Sequence, residues 1–170
     1  MMVLVHGDIG VGKSTVVRAA MARLGWTRPA GLFTHWDGAA RGAATVFAET
    51  WTGARQPMAR RVARPAGPGE LPYELDPGFA DFAGAALSPP DPGTPVVVDE
   101  LGLIELASAG FVAAVATWSR RPGPVLAVVQ DRARARWREL LDPDGAARWF
   151  RVAAASRAGL PAEIAACFRG

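Results

Sequence analysis

The sequence predicts an α/β protein built on a mostly parallel sheet flanked by helices, and three observations carry that prediction. Pro95 to Val98 and Val125 to Val129 are apolar and rich in β-branched residues without polar alternation, as strands buried on both faces require. Helical patterns stand between the strand patterns, so successive strands are joined by crossovers. A glycine-rich turn follows the first strand and opens the first helix.

Taken in order, Met2 to Val5 is a short apolar strand, and Ser14 to Leu24 places Val17, Ala20, Met21 and Leu24 at helical spacing. Gly31 to Trp36 and Ala44 to Thr50 gather β-formers on either side of a Gly38 to Gly42 turn, which reads as a small hairpin excursion closed by Trp51-Thr52-Gly53. From Arg55 to Pro72 the chain is rich in Arg, Pro and Gly with little periodicity, so 55–72 is expected to be an exposed lid. Asp76 to Leu87 reads as a helix with Asp76 as N-cap, Pro77 at its first position and an apolar face of Phe79, Phe82, Ala83, Ala86 and Leu87. Ser108 to Trp118, apolar at Phe111, Val112, Val115 and Trp118, makes a crossover helix between the two buried strands. Asp131 to Leu141, Trp149 to Ala153 and Pro161 to Phe168 add a helix, a strand and a helix. No internal repeat appears, and 1–170 reads as one domain.

Half of the 170 residues are apolar and six are tryptophan, enough to fill a core. Cys167 is the only cysteine, which excludes an internal disulfide. The N-terminal apolar run is too short and lacks the basic lead of a secretion signal. Its longest near-apolar run, Ala107 to Trp118, falls short of the roughly 20 residues that span a bilayer. A cytoplasmic protein with no membrane span is expected. The pI of about 10.0 suggests a polyanion partner, yet net charge is only +3, so nucleic acid is not required.

Lys13 is the only lysine among 19 basic residues, and it stands inside Gly7-Asp8-Ile9-Gly10-Val11-Gly12-Lys13-Ser14, the GxxxxGK[ST] phosphate-binding pattern. Glycines free the backbone to turn N–H groups inward, and the following helix N-terminus adds partial positive charge. Lys13 is expected to bridge β- and γ-phosphate oxygens, Ser14 to give its hydroxyl to Mg²⁺, and Thr15 to contact the α-phosphate. These assignments make the chain a P-loop protein. Val96-Val97-Val98-Asp99-Glu100 supplies the second element, an apolar strand delivering carboxylates to the sheet edge where ligands bind. Asp99 is expected to hold magnesium and Glu100 to activate water, a general-base task worth about 10²–10⁴ in rate. A Ras-like GTPase is excluded, because reading guanine needs an Asn-Lys-x-Asp element and the chain has no asparagine and no second lysine.

Gly31-Leu32-Phe33-Thr34, Arg41-Gly42, Thr52-Gly53 and Asp99-Glu100-Leu101-Gly102-Leu103-Ile104-Glu105-Leu106 with Ser108 and Phe111 occur in an order and spacing that resemble the small P-loop nucleoside-triphosphatase family first described in thermophiles. The resemblance implies a RecA-like sheet and Mg²⁺-dependent hydrolysis of the γ-phosphate of ATP, GTP or other NTPs. It also aligns Ser156-Arg157, before Leu160-Pro161, with the family's late Asn-Arg pair, which implies nucleotide contact by Arg157. The chain departs from the pattern where the family has two acids after the threonine, since His35 and Trp36 stand there, and where it often has lysine, since Leu103 stands there. The missing amide at Ser156 leaves nucleobase preference open.

Other readings stay open. A small-molecule P-loop kinase shares the loop and often carries lid arginines, and a nucleotide-gated binding module turns over slowly until a protein partner arrives. Glu105 reads either as a group near the phosphates or as an acid favoured by a helix N-terminus. Arg132, Arg134, Arg136 and Arg138 surround Ala133, Trp137, Leu140 and Leu141 and read as the solvated rim of an amphipathic helix, with one of them, or Arg60 or Arg61, as an alternative arginine finger. His6 and His35 read as packed residues, and Trp36 and Tyr73 as core aromatics or base-stacking groups.

Overall fold

The computed structural model describes residues 1–37, 44–63, 71–89, 91–118 and 121–169. Its strands are β1 (Met2–Gly7), β2 (Ala30–Trp36), β3 (Thr45–Thr50), β4 (Arg55–Arg61), β5 (Tyr73–Leu75), β6 (Val96–Leu101), β7 (Val125–Gln130) and β8 (Arg148–Arg151). They form one sheet in the order β5-β4-β3-β2-β6-β7-β1-β8. From β2 to β8 all neighbours are parallel, while β3, β4 and β5 extend the sheet by antiparallel pairs. The helices are α1 (Lys13–Leu24), α2 (Phe79–Leu87), the single turn α3 (Leu103–Leu106), α4 (Ala109–Ala116), α5 (Arg134–Leu141) and α6 (Leu160–Cys167).

The unalternating strands are buried on both faces, as their composition requires. Val3, Val5, Val97, Leu126 and Val128 pack with Val16, Val17 and Ala20 of α1 and Ile164 of α6. On the opposite face Leu4, Val96, Val98, Ala127 and Val129 pack with Phe79 of α2, Phe111 and Val115 of α4 and Trp137 of α5. Period-2 side-chain alternation thus gives each strand to two cores at once.

One of two helix starts differs from expectation. Asp76 does not cap α2 directly; its carboxylate accepts from Gly78 N at 3.0 Å in an Asx-type turn, and the helix starts at Phe79. Ser108 does cap α4, accepting from Phe111 N at 3.3 Å.

The expected lid over 55–72 is corrected in its first part. Residues Arg55–Arg61 are β4, paired to β3 with Met58 and Ala59 fully buried, and Tyr73–Leu75 continues the ladder as β5. Pairing slips by one residue between Val46 and Phe47, which puts two buried residues side by side on β4 and accommodates Pro57. The slip erases the alternation that would have marked a strand. Residues 64–70 of that stretch and 38–43, which include the hairpin turn, lie outside the described residues. Among the described residues no helix is long and apolar enough to cross a membrane.

Candidate active site

The parallel order brings the C-terminal ends of β1, β6 and β7 side by side, and the glycine loop leaves β1 at that edge. Gly10 and Gly12 adopt φ of 78° and 99°, left-handed conformations that let the loop curl over the end of α1. Gly12 is the N-cap of α1, no side chain caps that end, and no acid occupies the first turn. Its first-turn N–H groups are therefore left for an anion, with the helix dipole adding to their pull. Lys13 is buried and donates from Nζ to Gly7 O and Asp8 O, both at 3.0 Å. The ammonium is thereby fixed over the mouth of the loop.

A cleft of about 600 Å³ lies beside the loop, bounded by Gly10, Gly12, Lys13, Ser14 and Thr15 on one side and by Asp99, Glu100 and Glu105 on the other. Thr34, His35, Trp36, Val46 and Met58 make its far wall, with Ile104 and Gln130. Asp99 is buried, and the Ser14 side chain stands beside it, close enough to favour its ionised form. Burial, against the opposing pull of Ser14, raises its carboxyl pKa to about 6, and the Glu100 charge adds to the rise. Glu105 is buried more deeply and its pKa is raised to about 8, again chiefly by loss of solvent, although Gly102 N donates to it at 2.9 Å. Three carboxyl groups thus face a space with one ammonium.

Glu100 does not follow the strand, as its sequence position suggests, but lies within β6. Asp99 pairs with Val128 and Leu101 with Val129, so Glu100 is the extra residue of a bulge. A bulge re-aims the side chain it carries. The Asp99–Glu100 peptide is cis. Gln130, at the end of β7, donates from Nε2 to Glu100 Oε1.

The remaining predicted residues are placed as follows. Gly7, Asp8 and Ile9 border a side cleft of about 200 Å³ with Lys13, Gln130, Asp131 and Arg132, and Ile9 is exposed at the loop tip. Val11 packs against the α1 and α6 core. Arg157 stands apart from the carboxylates, in a groove of about 290 Å³ with Gly12, Thr15, Val16, Ala19, Ala158 and Pro161. No arginine lines the main cleft among the described residues. Arg136 pairs with Glu139, Arg138 lies over Trp149, and Arg134 reaches His6, so the solvated-rim reading of α5 fits its placement. His6 is buried and bonds Asp131 at 2.8 Å, while His35 bonds Glu49 at 3.1 Å. Trp36 packs on Tyr73 and also borders the cleft.

Sequence reasoning missed Gln130 altogether. Its signal was available: Gln130 is the polar residue that ends an otherwise apolar buried strand, as Asp99 ends the apolar run of β6. Glu105 was found but its state was not, because burial depends on how α3 docks against the sheet.

A mostly parallel sheet with a glycine loop, a helix N-terminus and a strand-borne aspartate at one edge defines the P-loop NTPase class. The chain belongs to the NTPase family, whose model matches residues 2–165. Two solved structures are similar over essentially the full length. THEP1 from the hyperthermophile Aquifex aeolicus superposes with a TM-score of 0.78 at 21% identity, covering 100% of both chains. The human cancer-related nucleoside triphosphatase superposes with a TM-score of 0.73 at 23% identity, covering 99% of this chain and 97% of that one. No curated protein sequence matches the chain.

Proposed function

We propose that the protein hydrolyses the γ-phosphate of nucleoside triphosphates, using Mg²⁺ bound between Ser14 and Asp99 and water activated by Glu100. The observation that carries this reading is the meeting of the loop, the Ser14–Asp99 pair and Glu100 on one cleft. Membership of the NTPase family favours it over the kinase and binding-module readings.

The donor set suits a hard cation. A hydroxyl and a carboxylate face each other, and magnesium completes its shell with water and phosphate oxygens in place of a full protein cage. Burial raises the Asp99 pKa, and a cation beside the carboxylate would draw it down again. When bound, the ion supplies positive charge to the phosphoryl oxygens. Ser14 and Asp99 would orient it, and the first-turn N–H groups of α1 with Lys13 would hold the β- and γ-phosphates. Lys13 exchanges its contacts to Gly7 O and Asp8 O for phosphate oxygens at modest cost, since one charged donor replaces carbonyl acceptors with anionic ones. Thr15 and Arg157 border the separate groove, which suits the nucleoside end.

Phosphate release from ATP, GTP and CTP, measured with Mg²⁺ and again with the metal chelated, tests the reading. Release with more than one nucleotide that stops on chelation is expected. Absence of release with every nucleotide and metal present would overturn it.

A further inference from the structure

Glu100 sits on a bulge, where the strand ladder does not fix its backbone, yet a water-activating carboxylate has to be held within a fraction of an ångström. What holds it comes from the neighbouring strand. Gln130 ends β7, pairs across the sheet with Gly7 at the root of the glycine loop, and donates from Nε2 to Glu100 Oε1. Its side chain borders both the main cleft and the side cleft along the loop.

The backbone around it is shaped to admit that amide. A Cβ on Gly102 would meet the Gln130 carboxamide at 2.5–2.6 Å, so any side chain at 102 would displace it. Gly102 is in turn held from two directions: its N–H donates to Glu105 at 2.9 Å, and its carbonyl accepts from the buried Trp137 Nε1 at 3.1 Å. The amide therefore rests on a fixed floor and reaches one acceptor, the carboxylate on the bulge.

The geometry points to Gln130 as a positioning residue that fixes the Glu100 carboxylate for water activation. By donating to Oε1 it leaves Oε2 to accept the proton of the attacking water, and the bond to an anionic acceptor is of the stronger, charge-assisted kind. The inference rests on the hydrolytic reading above and adds the group through which Glu100 acts.

Steady-state kinetics and nucleotide affinity of Gln130→Met, Glu100→Gln and the double variant test it. Methionine keeps the length and apolar bulk of the side chain and deletes the donor. Gln130→Met is expected to lower kcat about 10- to 100-fold, a fraction of what a general base supplies, while KM and nucleotide Kd stay within about twofold. In the Glu100→Gln background the same change is expected to add nothing, since a residue that acts through Glu100 has nothing left to position. If Gln130→Met turned over at the parent rate while Glu100→Gln was impaired, or if the two losses multiplied, the role given to Gln130 would be wrong and the base would stand. If Glu100→Gln itself kept the parent rate, the base assignment would fall, and this inference with it. Should the methionine variant fail to fold, Gln130→Ala, which deletes the donor without adding a charge to the cleft, carries the same two expectations.

Discussion

The two halves of the sheet use the same backbone pattern to different ends. In the parallel half, β1, β6 and β7 run the same way, so their C-terminal residues converge on one edge and deliver Lys13, Asp99, Glu100 and Gln130 to one cleft. In the antiparallel extension, β3, β4 and β5 reverse at each turn and place few polar groups at that edge. There, Val46 and Met58 form an apolar wall, and the opposite face carries Phe47 beneath the Arg55 guanidinium at 3.7 Å. Strand direction decides which half gathers the candidate site residues. The parallel half concentrates the candidate site, and the extension contributes area and a boundary.

Removing the loop's cation tests the parallel half most severely. Lys13→Ala is expected to lower kcat/KM by about 10³-fold and to weaken nucleotide binding, because Lys13 is the chain's only lysine and stands in the glycine loop. Steady-state assays and nucleotide titration measure it. Phe79→Ala strips a buried ring from α2, the helix that packs across β2, β3 and β4, and with it the stack on Phe111 of α4. A loss of about 3–5 kcal/mol in chemical denaturation is expected, with turnover per folded molecule within about threefold of the parent. A variant that kept its stability but lost turnover would mean that the extension does more than pack.

A third test concerns the cleft's own cost. Glu105 is protonated in the folded protein up to about pH 8, whereas the unfolded chain releases that proton near 4.5. Between those values the folded state binds more protons, so stability of the nucleotide-free protein falls as pH rises across that window. Glu105→Gln keeps an acceptor for Gly102 N and is expected to flatten the fall, gaining on the order of a few kcal/mol at pH 8. Thermal melts from pH 5 to pH 8.5 measure it; an unchanged slope would show that another group sets it. The smallest effect is expected at the extension's surface, where Arg55→Ala removes the guanidinium from Phe47 and costs about 0.5–1 kcal/mol with turnover unchanged.

The same contrast explains what the sequence made legible. The glycine loop, the apolar run ending in Asp99 and the amphipathic faces of α1, α4 and α5 were readable, because local pattern and tertiary role agree in the parallel half. Trp137 and Leu141 lie buried where helical spacing puts them. The extension was not readable, because Pro57, flanking arginines and a pairing slip give β4 the surface features of a loop. Within the site, the identity of Glu100 was legible and its setting was not. Neither the bulge nor the bond from Gln130 follows from local sequence, since both depend on the register between β6 and β7. The depth of Glu105 likewise follows from docking of a four-residue turn too short to announce itself.

Phosphate binding and water activation are proposed here as separate tasks of one edge, with Glu100 serving the second. Single-turnover hydrolysis by Glu100→Gln, measured beside its nucleotide Kd in Mg²⁺, tests this most directly. A rate lower by about 10²–10⁴ with Kd within about twofold of the parent is the predicted result. Hydrolysis at the parent rate, or loss of binding and rate together, would contradict it.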